Sequence, residues 1–183
     1  MKKSVSNVVT EMKPSGIRKF FDLASSMKGV ISLGVGEPDF DTPWHITEAA
    51  IYSLAGGKTH YTANRGLLEL RKEISRYSRE RFGMDYDPEK EIVVTVGGSE
   101  AVDLCFRALI NPGDEVIVLD PNYVAYEPAI RMAGGVPVYI NLSQENDFKL
   151  LPEDLKNAIT DKTKCIMLNF PSNPTGGVMT KAD

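Results

Sequence analysis

From residue 91 onward the chain alternates short apolar runs with longer amphipathic ones, and this rhythm restricts the fold more than any other feature. Ile92-Val93-Val94-Thr95-Val96, Glu115 to Leu119, Val136 to Ile140 and Cys165 to Asn169 read as strands. Ser99 to Ile110, Tyr123 to Ala133 and Pro152 to Ile159 read as the helices between them. The strand runs are rich in Val, Ile and Leu, which suits strands covered on both faces. Helical crossovers of this kind lay successive strands parallel. The expected fold is α/β: a three-layer α/β/α arrangement around a mainly parallel sheet.

The first ninety residues carry other signals. Pro14-Ser15-Gly16 marks a turn, after which Ile17, Phe20, Phe21 and Ala24 recur at helical spacing up to Gly29. Val30-Ile31-Ser32-Leu33 reads as a short strand that stops at the loop Gly34-Val35-Gly36-Glu37-Pro38. Thr42 is the expected cap of a helix with Pro43 in its first position, running through Ile46, Ala49, Ala50 and Leu54 to Gly56-Gly57. Lys58 to Gly66 is an irregular loop holding Tyr61. Leu67 to Phe82 is the clearest amphipathic helix, with Leu67, Leu70, Ile74 and Tyr77 as the stripe expected to face a core. Thr180 to Asp183 reads as the opening of another helix, a poor place for a domain to stop, so a cut-short product is expected.

Composition removes several classes. With 42% apolar and 25% charged residues the 183-residue chain is globular, and not disordered. A net charge of −4 argues against a broad nucleic-acid footprint, so no nucleic-acid partner is expected. No apolar run approaches the ~18–20 residues of a membrane span, and Met1-Lys2-Lys3 leads into polar residues and not an apolar signal core, so no membrane association is expected. Cys105 and Cys165 lie in apolar segments and read as two buried thiols of a reducing cytoplasm. His45 and His60, the only histidines, stand apart from any cysteine cluster, and no metal site is expected.

Three strand ends carry chemistry. Gly97-Gly98-Ser99-Glu100-Ala101 follows a strand and opens a helix, where free amides and the macrodipole favour an anion. The motif taken alone fits better a glycine turn with Ser99 as helix cap, and Glu100 and Asp103 oppose an anion unless their side chains point away. Asp120-Pro121-Asn122-Tyr123 follows the next strand, and Tyr123 either stacks on a flat ring or packs on a helix start. Asn169-Phe170-Pro171-Ser172-Asn173-Pro174-Thr175-Gly176 follows the last. Ligands of open α/β sheets gather at such ends. An anion nest, an aromatic and an amide sharing one edge make a flat, phosphorylated ligand reasonable.

These residues resemble a known family. Gly34-Val35-Gly36-Glu37-Pro38-Asp39-Phe40 with Thr42-Pro43, Tyr61 before Arg65-Gly66, and Gly97-Gly98-Ser99-Glu100-Ala101 are similar to signatures of class I/II aminotransferases, the fold-type-I pyridoxal-phosphate enzymes. So are Pro112-Gly113-Asp114-Glu115-Val116, Pro121-Asn122-Tyr123 and Ser172-Asn173-Pro174-Thr175-Gly176, in this order and at this spacing over essentially the whole chain. Ser15-Gly16-Ile17-Arg18-Lys19-Phe20 resembles the bacterial aspartate-type and acetyl-diaminopimelate-type subgroup.

The resemblance implies pyridoxal 5'-phosphate as cofactor, amino transfer from an amino acid to a 2-oxo acid and a homodimer when intact, while the cysteine usage points to a cytoplasmic location. It implies that Gly98, Ser99 and Glu100 bind the cofactor phosphate, that Tyr123 stacks on the pyridine ring, and that Asn173 bonds the ring's phenolic oxygen. Tyr61 would reach a partner's phosphate, and Gly36 would offer its amide to the substrate carboxylate. It also implies cis bonds at Asn173-Pro174 and, as a second candidate, Asp120-Pro121. The family's Schiff-base lysine, ring-nitrogen carboxylate and two arginines lie beyond the Asn-Pro-Thr-Gly motif. No catalytic residue is therefore assigned here, and the chain by itself is expected to be inactive. Residues 1–45 would form the N-terminal arm and part of the small domain, and residues 46–183 the first part of the large cofactor-binding domain. Alternatives are an inactive remnant and a carbon–sulfur lyase or cyclopropane-carboxylate synthase of the same fold. An effector-binding regulator domain loses, because the short polar segment before Val30 has no room for a helix-turn-helix.

Overall fold

The computed structural model describes residues 4–12, 20, 23, 26–31, 36 and 38–183. In chain order the elements among them are α1 (Asn7–Glu11), α2 (Trp44–Ala55), α3 (Leu68–Phe82), α4 (Gly98–Leu109), β1 (Glu115–Asp120), α5 (Tyr126–Met132), β2 (Val136–Asn141), a 3-10 turn (Gln144–Asn146), α6 (Pro152–Ala158) and β3 (Thr163–Met167). Internal contacts divide the chain into two units, Met1–Pro14 with Val96–Asp183, and Ser15–Thr95.

The first unit is built on a parallel sheet of order β2-β1-β3. β1 pairs with β2 from Glu115↔Val136 to Asp120↔Asn141, and with β3 from Val116↔Cys165 to Val118↔Met167 after an irregularity at Glu115. Side chains alternate along a strand, so β1 serves two cores. Val116 and Val118 pack with Phe106 of α4 and Ile130 of α5 on one face. Ile117 and Leu119 pack with Ile140, and with Leu155 of α6, on the other. Val116, Ile117 and Val118 are at most 1% exposed. This is a three-layer α/β/α arrangement with three strands among the described residues.

The run Ile92 to Val96 forms no strand. A strand exists only through a ladder partner, and here the Val94 amide donates instead to the Arg65 carbonyl in a loop, 3.0 Å away. Ile92 is buried, but Val96 is 92% exposed. The expected helix at Thr180 is also not formed. The Asp183 carboxylate there accepts from both the amide and the hydroxyl of Thr180, at 2.8 Å each, and from Lys149 Nζ. Cys105 is exposed on α4 next to the buried Phe106, and only Cys165 is partly buried, so the pair of buried thiols is corrected.

In the second unit α2 begins one residue later than expected. Pro43 is its cap and Thr42 makes no capping bond. The larger correction concerns α3. Its apolar stripe stays open, with Leu67, Leu70 and Tyr77 each about half exposed, while Arg71 and Ser75 are buried at 6%. The cause lies after the helix. Gly83, left-handed at φ 67°, turns the chain back along α3, and the returning backbone brings carbonyls that need donors. Arg71 donates through Nε to Gly66 O at 3.2 Å and through Nη1 to Pro88 O, and Ser75 Oγ donates to Tyr86 O at 2.6 Å. Gly66 has φ 89°, and a Cβ there would meet the Val94 side chain at 2.8 Å, so only glycine fits. Val30 and Ile31 are in no strand. The helical spacing at Ile17, Phe21 and Ala24, the run Ser32-Leu33, and Gly34, Val35 and Glu37 of the glycine loop lie outside the described residues, although Phe20, Leu23 and Ser26 are helical.

Candidate functional site

The site is assembled from the first turn of α4 and from the loop that leaves β1. Gly97 caps α4 with φ 86° and ψ 165°, a conformation that favours glycine. Gly98, Ser99 and Glu100 follow as the first helical residues. Their amides have no carbonyl within α4 to donate to, and the helix dipole adds partial positive charge there. The space before Gly98 is open, since a Cβ built on it would meet nothing within 4 Å.

The two nearby carboxylates are both engaged. Glu100 folds back and accepts from the Val96 amide. Asp103 accepts from Arg107 Nε at 2.7 Å, and that bond and its charge raise the Arg107 pKa. Ser99 does not cap the helix. Its hydroxyl lies 3.2 Å from the Tyr123 phenol. Tyr123 sits just past β1, its ring edge-on to Tyr126 with centroids 5.6 Å apart and planes at 79°. Tyr126 is 6% exposed and anchored in the core, and its pKa is raised by burial first and by Tyr123 second. Ser99 is thus not the helix cap, whereas Tyr123 does pack on a helix start, against Tyr126 at the opening of α5, while its phenol also reaches Ser99.

The loop after β3 carries Asn173. Its ends are closed by Ser172 N to Gly177 O and Gly176 N to Ser172 O, both 2.8 Å. Asn173 is exposed, and no hydrogen bond joins it to Ser99 or Tyr123 among the described residues. β1 and β3 are parallel neighbours, so the Tyr123 and Asn173 loops leave the same end of the sheet. Asn173-Pro174 and Asp120-Pro121 are cis, as is Phe170-Pro171, which the sequence reading did not anticipate. Gly36 and Tyr61 belong to the second unit. Gly36 is exposed with open space around it, and Tyr61 stands free of its own unit at 107% exposure.

The donor set suits a phosphate monoester attached to a flat ring: amides and a hydroxyl at a helix start, both carboxylates occupied, and an aromatic hydrogen-bonded to that hydroxyl. Among the described residues no three His, Cys, Asp or Glu side chains converge as a metal cage, and no helix is long and apolar enough to cross a membrane. What sequence reasoning missed was Arg71 and the backward reach of Glu100. The spacing of Arg71 and Ser75, one helical turn apart, was the available sign of a polar inward face.

Known proteins share the sequence pattern and the fold of this chain. The family model for aminotransferase class I and II matches residues 28–183. YugH of Bacillus subtilis (strain 168), named as an aminotransferase, is 53% identical over 98% of this chain and 46% of its own length. The aspartate aminotransferase of Pyrococcus abyssi is 46% identical over the same shares. The structure of Thermus thermophilus aspartate aminotransferase with maleate matches with a TM-score of 0.91 at 42% identity, over 98% of this chain and 48% of that one. The chain thus spans about half the length of the curated relatives it matches. With a family model matching most of its length and a fold superimposable on solved members, this chain belongs to the class I and II aminotransferases.

Proposed function

We propose that the chain supplies the phosphate-binding and ring-stacking part of a pyridoxal-phosphate-dependent aminotransferase that moves an amino group from an amino acid to a 2-oxo acid. Class I and II aminotransferases use this cofactor. The observation that carries the reading is the Ser99–Tyr123 hydrogen bond, which joins the expected phosphate contact to the expected stacking aromatic.

In this reading the amides of Gly98, Ser99 and Glu100, with the Ser99 hydroxyl, hold the phosphate. The Tyr123 ring covers one face of the pyridine and excludes water from it. Asn173 donates its amide to the ring's phenolic oxygen. Gly36 offers its N–H to the substrate carboxylate, and Tyr61, extended from its own unit, reaches the phosphate of a second copy in a cytoplasmic homodimer. When bound, the cofactor supplies an electron sink for the bond broken at the amino acid's α-carbon. Residues 1–45 are the arm and part of the small domain of that dimeric enzyme, a functional division distinct from the contact units of this chain.

The test is equilibrium dialysis of residues 1–183 against pyridoxal 5'-phosphate. Saturable uptake, displaced by inorganic phosphate and weakened by Ser99→Ala, is expected; uptake that never saturates overturns the reading. Borohydride reduction should leave no single stoichiometrically labelled lysine, and amino transfer should stay at the cofactor-only background. One labelled lysine with turnover above that background would overturn the assignment of the reacting lysine to a segment outside these residues.

A further inference from the structure

Ser99 Oγ and the Tyr123 phenol are 3.2 Å apart, and either can be the donor. A hydroxyl has one proton and two acceptor lone pairs, and Ser99 does not use its hydroxyl to cap α4. A phosphate at neutral pH only accepts along this line, so a Ser99 hydroxyl that serves it gives its single proton to the phosphate. The oxygen of Ser99 is then left to accept from Tyr123. The direction of the bond follows: Tyr123 donates to Ser99, and Ser99 donates to the phosphate.

We infer that the Tyr123 phenol is a positioning residue for phosphate recognition, a role separate from stacking by its ring: it orients the Ser99 hydroxyl proton toward the phosphate and away from the protein. The inference rests on the reading of Gly98, Ser99 and Glu100 as the phosphate cradle. The phenol can act this way because its ring is braced. Tyr126 meets it edge-on at 5.6 Å and is itself buried in the core between α5 and the sheet. Hydrogen bonds in series also polarise one another, so a Ser99 hydroxyl that accepts from Tyr123 is a better donor than one that does not. One side chain thus senses both ends of the ligand, its ring the flat part and its hydroxyl the charged part.

The experiment uses Tyr123→Phe, Ser99→Ala and the double variant in the 183-residue chain. Pyridoxal 5'-phosphate binding is followed by dialysis and by the 31P shift of the bound ligand. Phenylalanine keeps the ring and its Tyr126 contact, so a thermal melt close to wild type is expected. Tyr123→Phe should weaken pyridoxal 5'-phosphate about threefold to tenfold, the range of one net hydrogen bond. The bound 31P shift should move toward that of Ser99→Ala, and adding Tyr123→Phe to Ser99→Ala should weaken binding no further. Unchanged affinity in Tyr123→Phe overturns the inference, and so does an equal loss in the presence and absence of the Ser99 hydroxyl. In both cases saturable wild-type binding leaves the cradle reading standing. A wild-type chain that takes up no ligand saturably overturns the cradle reading and this inference together.

Discussion

Arg71 offers the sharpest test of how the second unit is held together. Its side chain is 6% exposed and binds two backbone carbonyls, Gly66 O through Nε and Pro88 O through Nη1. Arg71→Met keeps most of the stem and deletes every donor. Each charge-assisted hydrogen bond contributes roughly 1.5–3 kcal/mol, and a carbonyl left without a donor in a dry site costs about 1–3 kcal/mol. Gly66 and Pro88 are only partly buried, so water recovers part of the loss. The expected destabilisation is about 2–4 kcal/mol, a large share of the roughly 5–15 kcal/mol that holds a typical domain. Arg71→Lys, with one point of donation, should fall between. The effect should also be local. Arg65 O accepts from the Val94 amide, and Arg65 Nη1 donates to Glu89 O at 2.7 Å, so these segments are tied together at the C-terminal end of the Tyr61 loop. Hydrogen exchange in Arg71→Met should quicken at Val94 and Gly66 while β1 stays protected, and urea melts should report the loss in stability. A variant within about 0.5 kcal/mol of wild type, with exchange at Val94 unchanged, would refute the idea that the carbonyls of the returning backbone define this helix face.

Three further outcomes follow from the same structure. Tyr123→Ala should weaken pyridoxal 5'-phosphate binding by about 1–3 kcal/mol, the scale of an aromatic stack together with the phenol's hydrogen bond, and equal retention by dialysis would remove Tyr123 from the site. Iodoacetamide should modify exposed Cys105 well before Cys165, whose thiol pKa burial pushes up; peptide mapping at partial reaction reads the order, and equal rates would contradict the core around β3. The Asp183 carboxyl is held down to about 2 by the Thr180 amide first, and by Lys149 and the Thr180 hydroxyl. A lowered carboxyl pKa stabilises the fold above the ordinary value of 3.8, and that contribution fades as pH falls through about 2. A carboxyl 13C titration should show a midpoint near the lower value, moving up in Lys149→Met, and a wild-type midpoint at the ordinary value would dismiss the clamp.

The alternation of apolar runs with helices after residue 91 was enough to read a parallel sheet with helices on both faces, because crossover connections leave few other options. The ends of β1 and β2 and of α4 came within a residue or two, since continuous Val and Ile runs and glycine turns mark them locally. The motif at Asp120 pointed to the end of β1 for the same reason, whereas the strand expected before Gly97 is not formed. Pairing and burial were not legible, because they depend on what comes from far along the chain. Ile92 to Val96 has the composition of a strand, but a ladder needs a second backbone, and here the Val94 amide goes to the Arg65 carbonyl in a loop. The apolar stripe of α3 was plain, yet Arg71 and Ser75 are what the fold buries, because the backbone returning from Gly83 brings carbonyls to that face. Ser99 and Tyr123 are far apart in sequence, and each alone had a bland alternative. Only the packing of α4 against α5 on one side of the sheet put their hydroxyls within hydrogen-bond reach.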